Sequence, residues 1–513
     1  MRLALAASLA ILAACATAPA PDAAPAEVAA PKQATDAYYE KAAGAVGARA
    51  EARGLKPAKN VILFIGDGMG ISTITAARIY AGQSMGEDGE SHVLAMDTLP
   101  FSALSKTYSH DFQIADSAGT ATALTSGVKT RSGVLGVTSD IAYGNCASLP
   151  GTEVETIFEL AARAGLATGL VSTARLTHAT PAAAYAKSAH RDWESDTAMR
   201  GASSDTCKDI ARQLIEWPEG SFDIVLGGGR ANFLGKETPD PEYEDKTGAR
   251  SDGRNLVEEW TAKSADHTFV FDKAGFDAVD FASSARILGL FEPSHMQFEL
   301  DRETDKAGEP SLAEMTKAAI TRLSQDEDGF VLMVEGGRID HGHHAGNAIR
   351  ALEDAMAFDA AVAAALAMTN PEETLIIVTA DHSHTLTISG YAQRGNPILG
   401  LSVSGDGGRT GDGLPYTTLS YANGPGACRV SGKDADGKDV IDCTRQDLTG
   451  VDTAAPDFRQ PALVPMYSET HAGEDVAAFA SGPGASLISG VIEQNEIFHV
   501  MGRALGLIPA PTE

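Results

Sequence analysis

The chain has 513 residues, of which 43% are hydrophobic and 21% are charged, so a large globular core is possible. Its formal net charge is −29, from 69 acidic and 40 basic residues. An acidic surface of this size disfavours nucleic acid as a specific partner and anionic lipid as a general one. A site for an anion would need a local excess of positive charge. Adaptation to a saline or alkaline habitat is an alternative source of this acidity.

The N-terminal segment indicates export. Arg2 is followed by an apolar run over residues 3–14, which is too short to span a bilayer as a mature helix. The run ends in small residues directly before Cys15 and resembles the lipobox of bacterial lipoproteins. We therefore expect a signal peptide over residues 1–14, a lipid anchor on Cys15 and an Ala/Pro-rich tether over residues 15–35. An ordinary secretory signal is the alternative, and both interpretations place the mature protein outside the cytoplasm, in the periplasm or anchored at the outer membrane.

The remaining cysteines agree with export. Four are left once Cys15 is set aside, and an even number in an exported chain suggests two disulfides. Three connectivities are possible. Of these we favour the pairing of nearest neighbours, Cys146–Cys207 and Cys428–Cys443.

The elements predicted along the chain alternate between helices and strands. A helix is predicted from a cap at Thr35 or Asp36 to near Gly54. Apolar strand-like runs, each followed by a polar or Gly-rich loop, cover residues 61–65, 167–171, 223–226, 330–334 and 375–379, with helical stretches at 154–164, 311–323 and 348–366. This alternation predicts an α/β fold, a three-layer α/β/α sandwich around a large, mainly parallel sheet. Residues 390–465 are rich in Gly, Pro and Asp and are predicted to be an insertion in a domain spanning 36–513.

Acidic and imidazole side chains follow the predicted strands. They are Asp67, Glu335, Asp340, Asp381 and His382. Ligands of open parallel sheets bind beyond the carboxyl ends of the strands, so these groups should meet at one edge. A single Asp after a strand usually caps a helix or turn. Five such groups together would repel one another as bare charges but suit divalent cations.

Three further features add ligands and a nucleophile. Asp340 and His344 stand four residues apart and could share one metal if the turn is helical. Asp381 and His382 offer adjacent oxygen and nitrogen ligands, which suits zinc, and His471 is a further candidate. Asp116 is a predicted helix N-cap, which puts Ser117 in the first turn, where a phosphate is favoured. A helix start without chemistry is the alternative there.

Several segments resemble the signature blocks of the alkaline phosphatases, and the animal branch more than the enterobacterial one. They are GDGMG at 66–70, DSAGTATA at 116–123, VEGGRIDHGHH at 334–344, TADHSH at 379–384 and ETHAGEDVAAFASGP at 469–483. The similarity runs from about residue 37 to about residue 507. It implies hydrolysis of phosphate monoesters that depends on two Zn²⁺ and one Mg²⁺ per subunit. The reaction would pass through a phosphoserine and release an alcohol and inorganic phosphate.

The resemblance also implies roles for individual positions. Ser117 would be the nucleophile, and Arg191, steadied by Asp116, would grip the phosphate. One zinc would be held by Asp340, His344 and His471, the second by Asp67, Asp381 and His382, and the magnesium by Asp67, Thr180 and Glu335. His178 and His341 match outer-shell positions of the animal enzymes. Thr180 stands where those enzymes have serine, and both side chains offer a hydroxyl.

The resemblance further implies a possible Ca²⁺ site and a homodimer. Glu242, the carbonyl of Phe291 and Glu292 match the calcium ligands of the animal enzymes, whereas Glu309 stands where an aspartate is expected. In the family the insertion forms a crown at the dimer interface. An N-terminal helix reaches the partner subunit there, and residues 36–54 could do the same.

Charge balance makes this assignment coherent. Three divalent cations and Arg191 would exceed the four carboxylates by about three charges, which a phosphate dianion and a serine alkoxide would balance. A diesterase or sulfatase of the same superfamily is the nearest rival, and the presence of Thr180, Glu335 and Arg191 argues against it. A non-catalytic metal- or phosphate-binding lipoprotein is a second rival. A decayed enzyme should lack a ligand or the nucleophile, and none is missing.

Overall fold

A computed structural model of the chain describes residues 28–403, 410–434 and 436–509. The predicted signal peptide, Cys15 and residues 16–27 of the predicted tether lie outside these ranges. Among the helices described, none has both the length and the apolar character needed to cross a membrane.

The first helix shows how the sequence sets an element's bounds. The carboxylate of Asp36 accepts hydrogen bonds from the N–H groups of Tyr38 and Tyr39, and the helix ends at Gly54, whose φ is +75°. Both ends agree with the sequence prediction. The α-helices of the described residues are α1 Ala37–Arg53, α2 Ile71–Ser84, α3 Ser117–Ser126, α4 Ile157–Arg163, α5 Ala179–Ala182, α6 Ile210–Ile215, α7 Leu256–Ala262, α8 Lys273–Asp277, α9 Leu312–Leu323, α10 Arg338–His344, α11 Ala348–Met368 and α12 Glu496–Ala504.

The strands form one large sheet and several small ones. They are β1 Asn60–Gly66, β2 Phe101–Lys106, β3 Ala167–Arg175, β4 Ile224–Gly228, β5 His267–Val270, β6 Arg286–Leu290, β7 Phe330–Gly336, β8 Thr374–Ala380, β9 Ser383–His384, β10 Leu386–Ile388, β11 Leu419–Gly424, β12 Arg429–Lys433, β13 Asp439–Asp442, β14 Ala462–Pro465, β15 His471–Ala472, β16 Val476–Ser481 and β17 Gly490–Glu493. Ten strands make the main sheet in the order β17-β2-β16-β8-β1-β7-β3-β4-β6-β5. Only β16 pairs antiparallel with its neighbours there. The predicted mainly parallel sheet is confirmed.

The two faces of the sheet bury separate cores. Val61, Leu63 and Ile65 of β1 belong to one apolar cluster, whereas Ile62 and Phe64 belong to the other. The first cluster packs against α1, α3, α4, α6, α7 and α12, and the second packs against α2, α9 and α11. Because successive side chains of a strand point to opposite faces, a run that is apolar throughout needs a layer of helices on each side. The three-layer α/β/α architecture follows.

Residues beyond β9 form small sheets outside the main one. β10, β11 and β14 make a three-stranded sheet, and β12 pairs with β13. The Cys428–Cys443 disulfide closes the β12–β13 hairpin, and Cys146–Cys207 links two loops of the main body. These are the pairings favoured from the sequence. The boundaries at 390 and 465 stay predictions.

The register of the central strands brings acidic residues together. Ile65 of β1 lies opposite Glu335 of β7, and Gly66 lies opposite Ala380 of β8. Asp67 and Asp381 directly follow β1 and β8. The same edge of the sheet therefore receives three carboxylates from three adjacent strands, as expected from the positions of these residues along the chain.

The helix that begins at Ser117 ends at a glycine that other residues could not replace easily. Gly127 has φ +78°, and a Cβ there would lie 2.7 Å from Cδ1 of Phe498. Gly151 has φ +87° but has no atom within 4 Å of its Cβ position. Left-handed backbone costs an L-residue about 1–2 kcal/mol, and crowding in a packed core adds about 1–3 kcal/mol.

We expect Gly127→Ala to lower the free energy of unfolding by about 2–4 kcal/mol. Gly151→Ala, which carries the backbone strain without the crowding, should lower it by about 1–2 kcal/mol. Urea unfolding of both variants beside the unaltered protein measures the difference. Equal losses would show that contact with Phe498 adds nothing.

Candidate active site

Ser117 is buried at the N-terminus of α3. Asp116 caps this helix, and its side chain accepts a hydrogen bond from the N–H of Gly119 at 3.2 Å. The Ser117 side chain is 2% exposed, and its Oγ lies 3.1 Å from Nε2 of His382. The predicted cap and the predicted position of Ser117 in the first turn are both present. A hydroxyl at this place faces the unpaired amides and the positive end of the helix dipole.

Arg191 lies beside Ser117 because Asp116 holds it. Nη1 of Arg191 is 3.0 Å from Oδ2 of Asp116, which also accepts from the N–H of Gly133 at 3.0 Å. Nη2 of Arg191 is 3.1 Å from Nε2 of His178. Burial alone would raise the pKa of Asp116, but Arg191 and the Gly133 N–H hold it below its usual value. The guanidinium is thus fixed in direction and charged.

A first group of possible metal ligands surrounds Asp340. It comprises Asp340, His344, His384 and His471, whose ligand atoms all lie within 4.8 Å of one another. Helix α10 places Asp340 and His344 one turn apart, with Oδ1 and Nε2 separated by 3.3 Å. Nε2 of His471 is 3.4 Å from the same oxygen. Three of the four were predicted from the sequence, and His384 was missed.

His384 differs from the other three because a carboxylate faces each of its ring nitrogens. Nε2 is 2.7 Å from Oδ1 of Asp340, and Nδ1 contacts Oε2 of Glu469. Burial would lower the pKa of His384, but Glu469 and Asp340 raise it to about 10. With a carboxylate at each ring nitrogen, the imidazolium form of His384 is stabilised, and in that form it donates to Asp340 and orients this ligand. It lies opposite His471 in the β9–β15 pair.

The other groups of possible ligands share Asp67. One comprises Asp67, Asp340 and His382, and another comprises Asp67, His178 and Glu335. Nε2 of His382 is 3.4 Å from Oδ1 of Asp67 and 3.3 Å from Oδ2 of Asp381. The structure thus gathers every predicted zinc ligand in one continuous cluster, with Asp340 between the two sets.

Several buried polar atoms of this cluster have no hydrogen-bond partner within the described part of the chain. They are both carboxylate oxygens of Asp67, Oε1 of Glu335, Oγ1 of Thr180, Nδ1 of His178 and Nδ1 of His382. Burial, followed by the charges of Asp381 and Asp340, raises the pKa of Asp67 well above its usual value. Burial and the same neighbours raise the pKa of Glu335 to about 8. Unpaired buried acids at such close quarters either take up protons or bind cations.

The predicted outer-shell histidines lie next to each other. The rings of His178 and His341 are 5.5 Å apart, and His295, which was not predicted, lies 4.1 Å from the ring of His341. Burial keeps all three imidazoles neutral because it lowers their pKa values, that of His341 to about 3. Of the three, His178 contacts Arg191 and has a ring nitrogen within 4.8 Å of a Glu335 oxygen.

The predicted calcium ligands form a separate group with one unexpected member. Glu242, Glu292 and Asp305 have ligand oxygens within 4.8 Å of one another, and the buried Phe291 directly precedes Glu292. Asp305 was not predicted, because it lies in a loop with no periodic pattern. Glu309 lies nearby, where it accepts from the N–H of Gln297 at 2.9 Å. Burial and the charge of Asp305 raise its pKa to about 9.

Known proteins are similar to this chain in sequence and in fold. The alkaline phosphatase family model matches residues 58–507. The tissue-nonspecific alkaline phosphatase of Gallus gallus is 46% identical over 461 residues, 88% of this chain and 85% of that one. The Homo sapiens isozyme is 45% identical over 455 residues, 87% and 83% of the two chains.

Solved structures agree. The alkaline phosphatase of the Antarctic bacterium TAB5 matches with TM-score 0.58 and 25% identity over 88% of this chain and 99% of that one. The Thermus thermophilus alkaline phosphatase matches with TM-score 0.63 and 26% identity over 88% and 92%. The chain therefore belongs to the alkaline phosphatase family, whose members are metal-using enzymes that hydrolyse phosphate monoesters.

Proposed function

We propose that this protein hydrolyses phosphate monoesters in two displacements, through a phosphoserine at Ser117. The observation that carries the proposal is the place of the Ser117 hydroxyl. It lies at the start of a helix, 3.1 Å from a candidate metal ligand, His382, and beside the Asp116–Arg191 pair. A nucleophile, a cation site and a phosphate clamp, by which we mean the Asp116–Arg191 pair, thus share one buried position.

The residues present fit metal ions. The oxygens of Asp67, Glu335 and Thr180 are buried without partners in the described chain, which suits a bound cation better than an empty space. Mixed carboxylate and imidazole sets suit zinc, and an all-oxygen set suits magnesium. We assign one zinc to Asp340, His344 and His471, a second to Asp67, Asp381 and His382, and a magnesium to Asp67, Thr180 and Glu335. Bound there, such cations would supply Lewis-acid stabilisation of the serine oxygen and of the leaving oxygen.

The chain's own groups bind and orient the phosphate. The Arg191 guanidinium donates to two non-bridging oxygens, because its planar fork matches their geometry and Asp116 holds it in place through Nη1. The Ser117 hydroxyl gives its proton to water, its Oγ attacks phosphorus, and the bond from phosphorus to the alcohol oxygen breaks. The alcohol leaves after gaining a proton from water. Water then attacks the phosphoserine, which releases inorganic phosphate and restores the Ser117 hydroxyl.

A monoesterase is favoured over a diesterase or a sulfatase. A monoester carries two negative charges, and Arg191 together with three cations would match them best. A diester or sulfate ester carries one. A carboxylate oxygen of Glu335 lies within 4.8 Å of one of Asp67, which supports the magnesium assignment. The set of Asp67, Thr180 and Glu335 is the feature that we expect the rivals to lack.

Additional assignments extend this proposal. We assign a calcium ion to Glu242, Glu292 and Asp305, with the Phe291 carbonyl and Glu309 as further candidates. A homodimer is supported by the apolar side chains that the insertion exposes, such as Leu463 at 82% and Tyr391 at 91%. Export as a lipoprotein anchored through Cys15 rests on the N-terminal sequence alone.

Replacement of the nucleophile tests the covalent route. We expect Ser117→Ala to lower kcat/KM on an aryl phosphate by about a thousandfold or more, since the attacking oxygen is lost. Ser126→Ala, at the other end of the same helix, should keep the unaltered rate. Acid quenching during turnover of ³²P-labelled substrate should leave label on Ser117. Retention of most activity by Ser117→Ala would rule out the phosphoserine.

Metal content tests the ligand assignment. Elemental analysis of the purified protein should give two zinc and one magnesium per chain by our assignment, with calcium as an additional ion. Asp340→Asn should lose zinc and Glu335→Gln should lose magnesium, because each removes one charged ligand. Exposed Asp328 gives the matched control, Asp328→Asn. Full activity on monoesters after complete removal of metals would contradict the proposal.

The pH dependence of stability tests the crowding of acids. In metal-free protein the pKa of Glu335 is raised from 4.5 to about 8. Its contribution to stability is therefore complete below about pH 4.5 and is lost as the pH rises through about 8. With chelator present, we expect the Tm to fall as the pH is raised from 4.5 to about 8. The Tm of Glu335→Gln should fall less over the same pH range. Glu327→Gln, at an exposed position, is the control. A slope unchanged by Glu335→Gln would contradict this account.

A further inference from the structure

A cavity of about 680 Å³ opens at the rim of the active site, beside Gly133. Its walls come from two loops, residues 111–112 and 131–133 on one side and residues 140–143 on the other. Two aromatic rings line it, those of Phe112 and Tyr143, which are 57% and 58% exposed. Neither the phosphate chemistry nor the metal assignment uses these rings.

The floor of the cavity is bonded to the phosphate clamp. The N–H of Gly133 donates to both carboxylate oxygens of Asp116 at 3.0 Å, and Ser132 Oγ donates to Oδ1 at 2.9 Å. The N–H of Arg191 donates to the carbonyl of Gly133 at 2.8 Å. Two residues of the cavity lining, Ser132 and Gly133, are thus bonded directly to the pair that we assign to phosphate binding.

The wall that carries Phe112 also reaches the zinc ligands. Nδ1 of His471 is 2.8 Å from the carbonyl oxygen of Ala115. Ile114 packs on the loop after β15, where a Cβ on Gly473 would lie 3.0 Å from its Cγ1. One short segment therefore joins the cavity to the cluster around Asp340.

Tyr143 is held in a fixed orientation. Its ring covers Gly133, where a Cβ would lie 2.7 Å from Cε2. Its hydroxyl is 2.8 Å from Nε2 of His190, whose ring stacks on Trp193 with centroids 5.7 Å apart. Burial and the charges of Asp192 and Asp116 raise the pKa of Tyr143, so the phenol stays neutral. The ring is a preorganised apolar surface, and ordering it costs little on binding.

We propose that this cavity receives the alcohol part of the substrate and favours phosphate monoesters of uncharged aromatic alcohols. This inference rests on the proposed function. A planar aromatic group can stack on Phe112 and Tyr143, whereas a small polyol leaves both rings in water. The volume suits a group of one or two rings. Asp111, Arg131 and Asp140 also line the cavity, so its lining carries one more negative than positive charge and disfavours a leaving group that carries a second anion.

Paired substrates test the proposal in the metal-loaded enzyme. We expect Phe112→Ser and Tyr143→Leu each to lower kcat/KM for 1-naphthyl phosphate by about tenfold. The value for glycerol 2-phosphate should change less than twofold, because a small polyol does not stack on either ring. Each variant is compared with the unaltered enzyme on the same substrate, which removes differences in leaving-group reactivity. Inhibition by inorganic phosphate should be unchanged. Tyr143→Phe keeps the ring and should keep the preference, and Phe101→Ala is a control at a distant exposed aromatic.

Inhibitor binding gives a second measure that does not depend on turnover. The unaltered enzyme should bind phenylphosphonate about tenfold more tightly than methylphosphonate, and Phe112→Ser should remove most of that difference. Equal affinity for the two phosphonates, or equal losses on both substrates, would overturn the subsite. If the unaltered enzyme hydrolysed neither substrate, the proposed function itself would fail. Turnover of both without any effect of the variants would reject the subsite alone.

Discussion

The rest of the structure depends on the close approach of buried carboxylates at one edge of the main sheet. Pairing of β1 with β7 and β8 places Asp67, Glu335 and Asp381 together, and α10 adds Asp340. These groups repel one another, and several of their oxygens have no protein partner among the described residues. Parallel pairing makes this arrangement unavoidable once the residues stand at the ends of adjacent strands. The fold therefore creates a concentration of negative charge that is relieved either by bound cations or by protonation of some of these acids.

The protein meets part of that demand with two fixed cations of its own. Arg191 is held by Asp116 on the side of Ser117, and His384 is held by Glu469 on the side of Asp340. Both are charged because a carboxylate outside the cluster stabilises them. These two charges offset part of the four carboxylates, and the proposed metal ions would supply the excess of positive charge that a phosphate needs, although the chain as a whole carries −29. Long-range repulsion of anions by the surface is screened by salt, whereas attraction inside the buried site is not.

The sequence predicted the elements whose physics is local. Continuous apolar runs fixed the central strands, Asp36 and Asp116 fixed the starts of two helices, and the spacing of Asp340 and His344 fixed one pair of neighbours. The resemblance supplied the roles of Arg191 and Thr180, which no local pattern indicates. His384 was missed because its role comes from Glu469, far away in sequence. Asp305 was missed because loop residues follow no periodic pattern. The antiparallel direction of β16 was not predicted, because an apolar run does not indicate the direction of its strand.

The two ends of the substrate are handled by parts of the fold with different constraints. The phosphate end is built from strand ends and a helix start, whose positions the ten-stranded sheet fixes. The alcohol end, as we infer it, is built from the loops that carry Phe112 and Tyr143. These loops contact the clamp mainly through backbone groups of Gly133 and Ala115. Since such contacts do not depend on side-chain identity, the aromatic residues can change without moving Arg191 or His471. Preference for the alcohol can therefore vary while the machinery that cleaves the ester stays the same.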